Sequence, residues 1–209
     1  MKKKYILLLM LLLIIIISIC LIYRNNNKED TDIKVKYPIY EYHKLNKVIT
    51  KNINYYLKDN IDNYYFLYID YKDYEYKEYI SIVLYISYFT GGAHPNYEIK
   101  TINYNKSSNK FIDIDDLINR DKDILNKLSI YSREYFSNND MFNDKVVFDM
   151  MIDGTKSIKD NYKYFNITSD GLIIYFNRYQ IAPYYYGDYS ITISYNYLNL
   201  SIWNILFIW

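Results

Sequence analysis

The longest unbroken apolar stretch runs from Tyr5 to about Tyr23, interrupted only by Ser18 and Cys20. At about 1.5 Å of helical rise per residue, it approaches the ~30 Å hydrocarbon core of a bilayer. Lys2, Lys3 and Lys4 precede it and a mixed-charge segment with Arg24, Lys28, Glu29 and Asp30 follows. That asymmetry predicts an N-terminus inside and everything after Arg24 outside the cytoplasm. A cleaved signal peptide calls for a shorter apolar region and small residues at the cut. A lipoprotein signal calls for a small residue before its cysteine, where Ile19 stands before Cys20. The expectation is therefore a single uncleaved membrane anchor over residues 1–24 and a polar linker over 25–32.

Beyond the linker the hydrophobic period alternates between two and three-to-four. Ile33, Val35 and Tyr37 alternate with lysines and predict a short strand. Leu45, Val48, Ile49, Ile53, Tyr56 and Leu57 paint one face of a helix from about 42 to 58. Runs at 64–71, 78–89, 97–104 and 111–114 read as strands joined by short turns, hence antiparallel. Amphipathic helices are predicted over 121–137 and 144–158, with Gly154 weakening the last turn of the second. Strands return at 164–168, 172–177 and 190–195. Asp113, Asp115 and Asp116 fail the calcium-loop pattern, since the sixth position is Ile118 rather than glycine, and read instead as a helix cap. The fold class predicted is α+β: antiparallel sheet packed with about three amphipathic helices, in one domain over 33–198. An apolar tail over 199–209, with Trp203, Phe207 and Trp209, is too short to span a bilayer.

A net charge of +1 argues against nucleic acid, which calls for a basic face. Cys20 is the only cysteine, so the fold rests on its core without an internal disulfide. Tyrosine reaches 30 residues, which either A/T-rich codon usage or a tyrosine-rich recognition surface would produce.

The candidate chemistry concentrates in Tyr88-Phe89-Thr90-Gly91-Gly92-Ala93-His94-Pro95-Asn96. Gly91 and Gly92 take positive φ without steric cost, and Pro95 pushes His94 out of the helical region. The stretch predicts a stiff connection between two strands carrying an imidazole. A second shaped loop, Pro183-Tyr184-Tyr185-Tyr186-Gly187, follows later. The predicted ligand-binding residues are Gly91, Gly92, His94, Pro95, Tyr184, Tyr185 and Tyr186. No phosphate-cradling loop, nucleophile elbow or His/Cys zinc set is present in the sequence. No metal and no cofactor is expected. His94 reads either as a structural lock on the turn through a backbone carbonyl or as a contact residue or general base.

Tyr88 to Pro95 resembles the Gly-Gly-Ala-His signature of a bacterial extracytoplasmic domain family of largely unassigned function. Phe111 to Leu117, Phe165 to Leu172, and Tyr179 to Tyr184 with Gly187 are similar to further family segments in the same order. The family includes the lysozyme-sensing part of the anti-sigma-V factor RsiV and the N-terminal module of peptidoglycan deacetylases of the PdaC type. Four residues precede the apolar run and no deacetylase segment follows the module here, so the expectation is the shared module on an anchor. The resemblance implies a binding module at the cell envelope, with a cell-wall glycan or a lysozyme-like protein as partner, and gives catalysis no support. Two alternatives stay open: an envelope hydrolase using His94 with a nearby carboxylate, and a structural partner of another membrane protein, suggested by the apolar tail.

Overall fold

The computed structural model describes Met10, residues 13–19, 31–58 and 63–198. Most of the expected anchor, residues 25–30 of the linker and the tail over 199–209 lie outside the described residues. Residues 13–19 are helical and exposed. No helix among the described residues is long and apolar enough to cross a membrane.

The first sheet has the strand order β1-β2-β3-β4-β5. These are β1 Asp32–Val35, β2 Phe66–Tyr76, β3 Tyr79–Phe89, β4 Asn96–Asn105 and β5 Lys110–Ile112. The second sheet is β6 Phe165–Ile167, β7 Leu172–Phe176 and β8 Tyr189–Ile193, in that order. All pairs are antiparallel except β1 with β2. The expectation of antiparallel pairing fails at β1 because helix α1, His43–Leu57, carries the chain back to the starting end of the sheet before β2 begins. A parallel pair needs such a crossover. The predicted strand at 33–37 is also shifted, and Asp32, assigned to the linker, belongs to β1.

Period-two alternation gives β3 and β4 two different faces. Ile80, Ile82, Leu84 and Ile86 face α1, whose Leu45, Ile49, Ile53 and Tyr56 are buried against them. The opposite face carries Ser81, Val83, Tyr85, Ile99, Thr101 and Asn103, and part of it is covered by the second sheet through Val83, Ile99 and Tyr175. The outer face of the second sheet packs on α2 Ile114–Arg120, α3 Ile124–Ser137, α4 Lys145–Gly154, α5 Lys159–Tyr162 and α6 Tyr195–Leu198. The order of layers is helix, sheet, sheet, helices.

Several element boundaries differ from the periodicity; the strands expected at 111–114 and 190–195 end at Ile112 and Ile193, with Ile114 and Tyr195 opening helices. Strand β2 continues past Tyr71 to Tyr76, because Lys72, Asp73 and Glu75 point to solvent while the strand stays paired with β3. Helix α3 starts at Ile124 rather than 121, since Asp121 accepts from the Asp123 N–H and from Lys127 Nζ and shapes a turn. Helix α4 stops at Gly154, where a Cβ would lie 1.9 Å from the Gln180 carbonyl oxygen. Ile158, expected on that helix face, is exposed. The Asp113 cap forms as a capping box with Asp116.

The two sheets meet through polar side chains. Strand β6 pairs with β7 on one side only. On its other side the Phe165 N–H donates to Thr101 Oγ1 at 3.2 Å, and the Phe165 carbonyl accepts from Asn103 Nδ2 at 2.9 Å. The Ile167 N–H donates to Ser81 Oγ at 3.0 Å, and Ser81 Oγ donates to Asn103 Oδ1 at 2.7 Å. Asn166 Nδ2 reaches the Ile82 carbonyl at 3.1 Å and Asn103 Oδ1 at 3.3 Å. Ser81, Asn103 and Asn166 are all buried. Truncating Asn103 orphans several buried partners at once, each costing roughly 1–3 kcal/mol. Asn103→Ala is therefore expected to lower the urea midpoint by an amount equivalent to at least about 2 kcal/mol at unchanged slope. A loss below about 0.5 kcal/mol would show that the network is not what joins the sheets.

Candidate functional site

The two shaped loops converge. Gly91 and Gly92 adopt φ of 98° and 114°, a region L side chains rarely enter, and turn the chain from β3 to β4. This places His94 half-buried beside the second loop. Its ring stacks on Tyr184 with centroids 3.8 Å apart and planes inclined by 22°. The Pro95 carbonyl accepts twice, from His94 Nδ1 at 3.0 Å and from the Tyr184 hydroxyl at 2.7 Å. A carbonyl can only accept, so Nδ1 is the donor in its contact. Nε2 lies 3.2 Å from the Tyr179 hydroxyl, a group that can donate to it or accept from it. No carboxylate is among these partners, so the pairing that hydrolytic use of His94 asks for is not formed here.

Tyr179 reaches His94 because its turn is fastened at both ends. Asn177 Oδ1 accepts from the Ile99 N–H of β4 at 2.9 Å. Gln180 Nε2 donates to the carbonyls of Gly154 and Asn161 at 3.1 and 3.0 Å. Between these ties Tyr179 is held at φ 65°, which is uncommon for a non-glycine residue and marks stored strain.

Tyr185 and Tyr186 behave differently from Tyr184. Their rings lie 4.1 Å apart, but Tyr186 packs against the second core and Tyr185 points outward. Of the residues expected from the sequence, His94, Pro95 and Tyr184 come together directly. Gly91 and Gly92 shape the turn, and Tyr185 stands away from the stack.

Four residues outside the two expected loops complete the cluster. The Arg178 guanidinium carbon lies 3.6 Å over the Tyr97 ring and 4.5 Å over Tyr184. Arg178 Nε faces Asp188 Oδ1 at 3.6 Å. Tyr179 supplies the fourth member. Arg178 and Tyr179 directly precede the segment from Gln180 to Pro183, a signal available from the sequence. Tyr97 becomes visible only through the sheet register, whereas Asp188 directly follows Gly187 at the end of the second loop.

That register also explains a cavity of about 190 Å³ next to the cluster. Tyr68, Ser87 and Tyr97 form one cross-strand row and Asp70, Tyr85 and Ile99 form the next. Both rows belong to the face that the second sheet covers only in part. Ser87, the small residue between two tyrosines, makes the depression, and Asp188 joins the wall. On the far side of β4, Glu98 accepts from the hydroxyls of Tyr56 at 2.6 Å and Tyr88 at 3.0 Å. Burial and the neighbouring carboxylate push the Tyr88 phenol up to about 12.

Burial raises the Asp188 carboxyl above its ordinary 3.8, against the opposing pull of Arg178. A carboxyl raised on folding adds stability below pH 3.8, and that contribution is lost as pH rises through the folded-state value. Asp188→Asn stays neutral throughout. The variant is thus expected to melt higher than the wild type near pH 7, with the gap closing as pH falls toward 3.8. A gap that does not change with pH would refute this assignment.

Residues 115–196 match the model of a family described as "Protein of unknown function (DUF3298)". The match includes Arg178, Tyr179, Tyr184 and Asp188 and leaves out the Gly91–Pro95 loop. A curated relative, the peptidoglycan-N-acetylmuramic acid deacetylase PdaC of Bacillus subtilis (strain 168), is 32% identical over 173 residues. The alignment covers 77% of this chain and 36% of that protein, so the chain spans only about a third of the relative's length. A DUF3298 family protein from Pseudomonas aeruginosa PAO1 has the same fold, with a TM-score of 0.63 at 18% identity, covering 81% of this chain and 83% of that one.

Proposed function

We propose that this chain is a binding module of the bacterial cell envelope, held at the membrane by its N-terminal segment, that grips a cell-wall glycan without cutting it. The observation that carries the reading is the convergence of the two loops into one aromatic surface, with His94 stacked on Tyr184 and Arg178 laid over Tyr97. Rings that are half-buried on a fixed frame offer flat faces to a sugar at little entropic cost. The adjoining cavity adds phenol, serine and carboxylate groups suited to hydroxyl and amide hydrogen bonds. The similarity to a peptidoglycan deacetylase supports a wall-related role. The imidazole, tied to a carbonyl and a phenol, acts here by positioning Tyr184 and not as a base.

The test is retention of residues 29–209 on insoluble peptidoglycan and, in parallel, on immobilised lysozyme. Retention on peptidoglycan is expected. Tyr184→Ala should weaken it roughly two- to tenfold, the worth of one stacking contact, and His94→Ala should do so by a similar factor. Retention on lysozyme alone would replace the glycan by a protein partner, and retention on neither would discard the reading.

A further inference from the structure

Arg178 is restrained yet incompletely paired. Its guanidinium is packed over Tyr97 and Tyr184 at 3.6 and 4.5 Å. Its Nε is buried and has no hydrogen-bond acceptor among the described residues. Asp188 stands off at 3.6 Å, and 21% of the arginine side chain remains open to solvent. Packing on aromatic faces fixes the orientation of the fork, so less freedom is lost when it binds. A fork held in this way matches a planar carboxylate, which it can take through two parallel N–H donors.

The neighbouring cavity limits what can carry that carboxylate. Its volume of about 190 Å³ falls below the roughly 300–1,000 Å³ of sites for drug-sized molecules. It therefore accepts a small portion of a ligand, on the scale of one ring. Its wall holds the carboxylates of Asp70 and Asp188 beside the phenols of Tyr68, Tyr85 and Tyr97. Two carboxylates repel an anion from the cavity itself while offering acceptors to hydroxyl groups. The polarity is thus divided: acceptors inside the cavity, and a cation at the edge where Tyr97 and Asp188 belong to both.

We propose that this site recognises a sugar bearing a carboxylate arm, of the muramic acid type, with its hydroxyls in the cavity and its carboxylate on Arg178. The inference rests on the glycan-binding reading above and adds the chemical group by which the glycan is chosen.

The experiment compares one glycan in two charge states. Peptidoglycan strands freed of stem peptides expose the lactyl carboxylates. The same strands amidated at those carboxylates are neutral there. Binding of the full chain to each is measured at fixed low salt. The wild type should bind the free-acid strands about tenfold or more tightly than the amidated ones, the order expected from one charge-assisted pair. Arg178→Gln should bind both alike, and Arg178→Lys should recover only part of the preference, since a lysine lacks the fork. The comparison between the two ligands is made on unaltered protein, so it stands even where a variant folds poorly. Equal binding of both strands by the wild type overturns the carboxylate assignment and leaves the glycan reading intact. A preference that survives in Arg178→Gln also overturns it. Binding of neither strand overturns both.

Discussion

Strand β6 is three residues long and has a backbone partner on one side only, yet all three residues are buried. A buried edge of unpaired amides and carbonyls is among the costlier things a fold can contain. Here that edge is met by side chains standing on the face of another sheet: Thr101, Asn103 and Ser81 occupy the places a neighbouring strand would fill. The apolar clusters on either side attract without direction. The asparagines and the serine add direction, and so fix how one sheet lies across the other. The position of everything after β6 follows, including the turn at Asn177 that bonds β4, carries Arg178 over Tyr97 and brings Tyr179 to His94.

The abundance of tyrosine has two uses in the folded chain. Tyr56, Tyr104, Tyr162 and Tyr195 are core residues whose hydroxyls each find a partner: Glu98, Asn109, the Thr155 carbonyl and the Thr168 carbonyl. They contribute buried area much as phenylalanine would, with the polar tip satisfied. Tyr68, Tyr85, Tyr97, Tyr179 and Tyr184 stand instead on or beside the uncovered part of the first sheet. Composition alone does not separate these roles, because both draw on the same amphipathic ring.

Hydrophobic spacing that reports on one face of one element agrees with the structure in the longer elements and departs from it at Ile158. The α1 stripe of Leu45, Ile49, Ile53 and Tyr56 is the buried one, and the runs that became β3, β4 and β7 lie within a residue of their expected limits. What escaped were effects of distant chain. Nothing near Gly154 announces that the Gln180 carbonyl will rest against it, and nothing in Ile33 and Val35 announces a parallel partner. The site divides along the same line. Glycine and proline mark His94 and Tyr184, whereas Tyr97 lies inside an ordinary strand and Asp188 just before one. Ser87 acquires meaning only once the register sets it between Tyr68 and Tyr97.

The chain enters the first sheet at Asp32, beside Phe66 and bonded to the Tyr65 carbonyl. Phe66 in turn faces Phe89, the last residue of β3, with only Thr90 between it and the Gly91–Pro95 turn. Entry point and aromatic cluster therefore share one end of the sheet. A pull exerted between the N-terminal segment and something held at His94 travels a short path across β1, β2 and β3. The second sheet meets that path only at the cluster itself, through Tyr179 and Tyr184 on the stretch between β7 and β8.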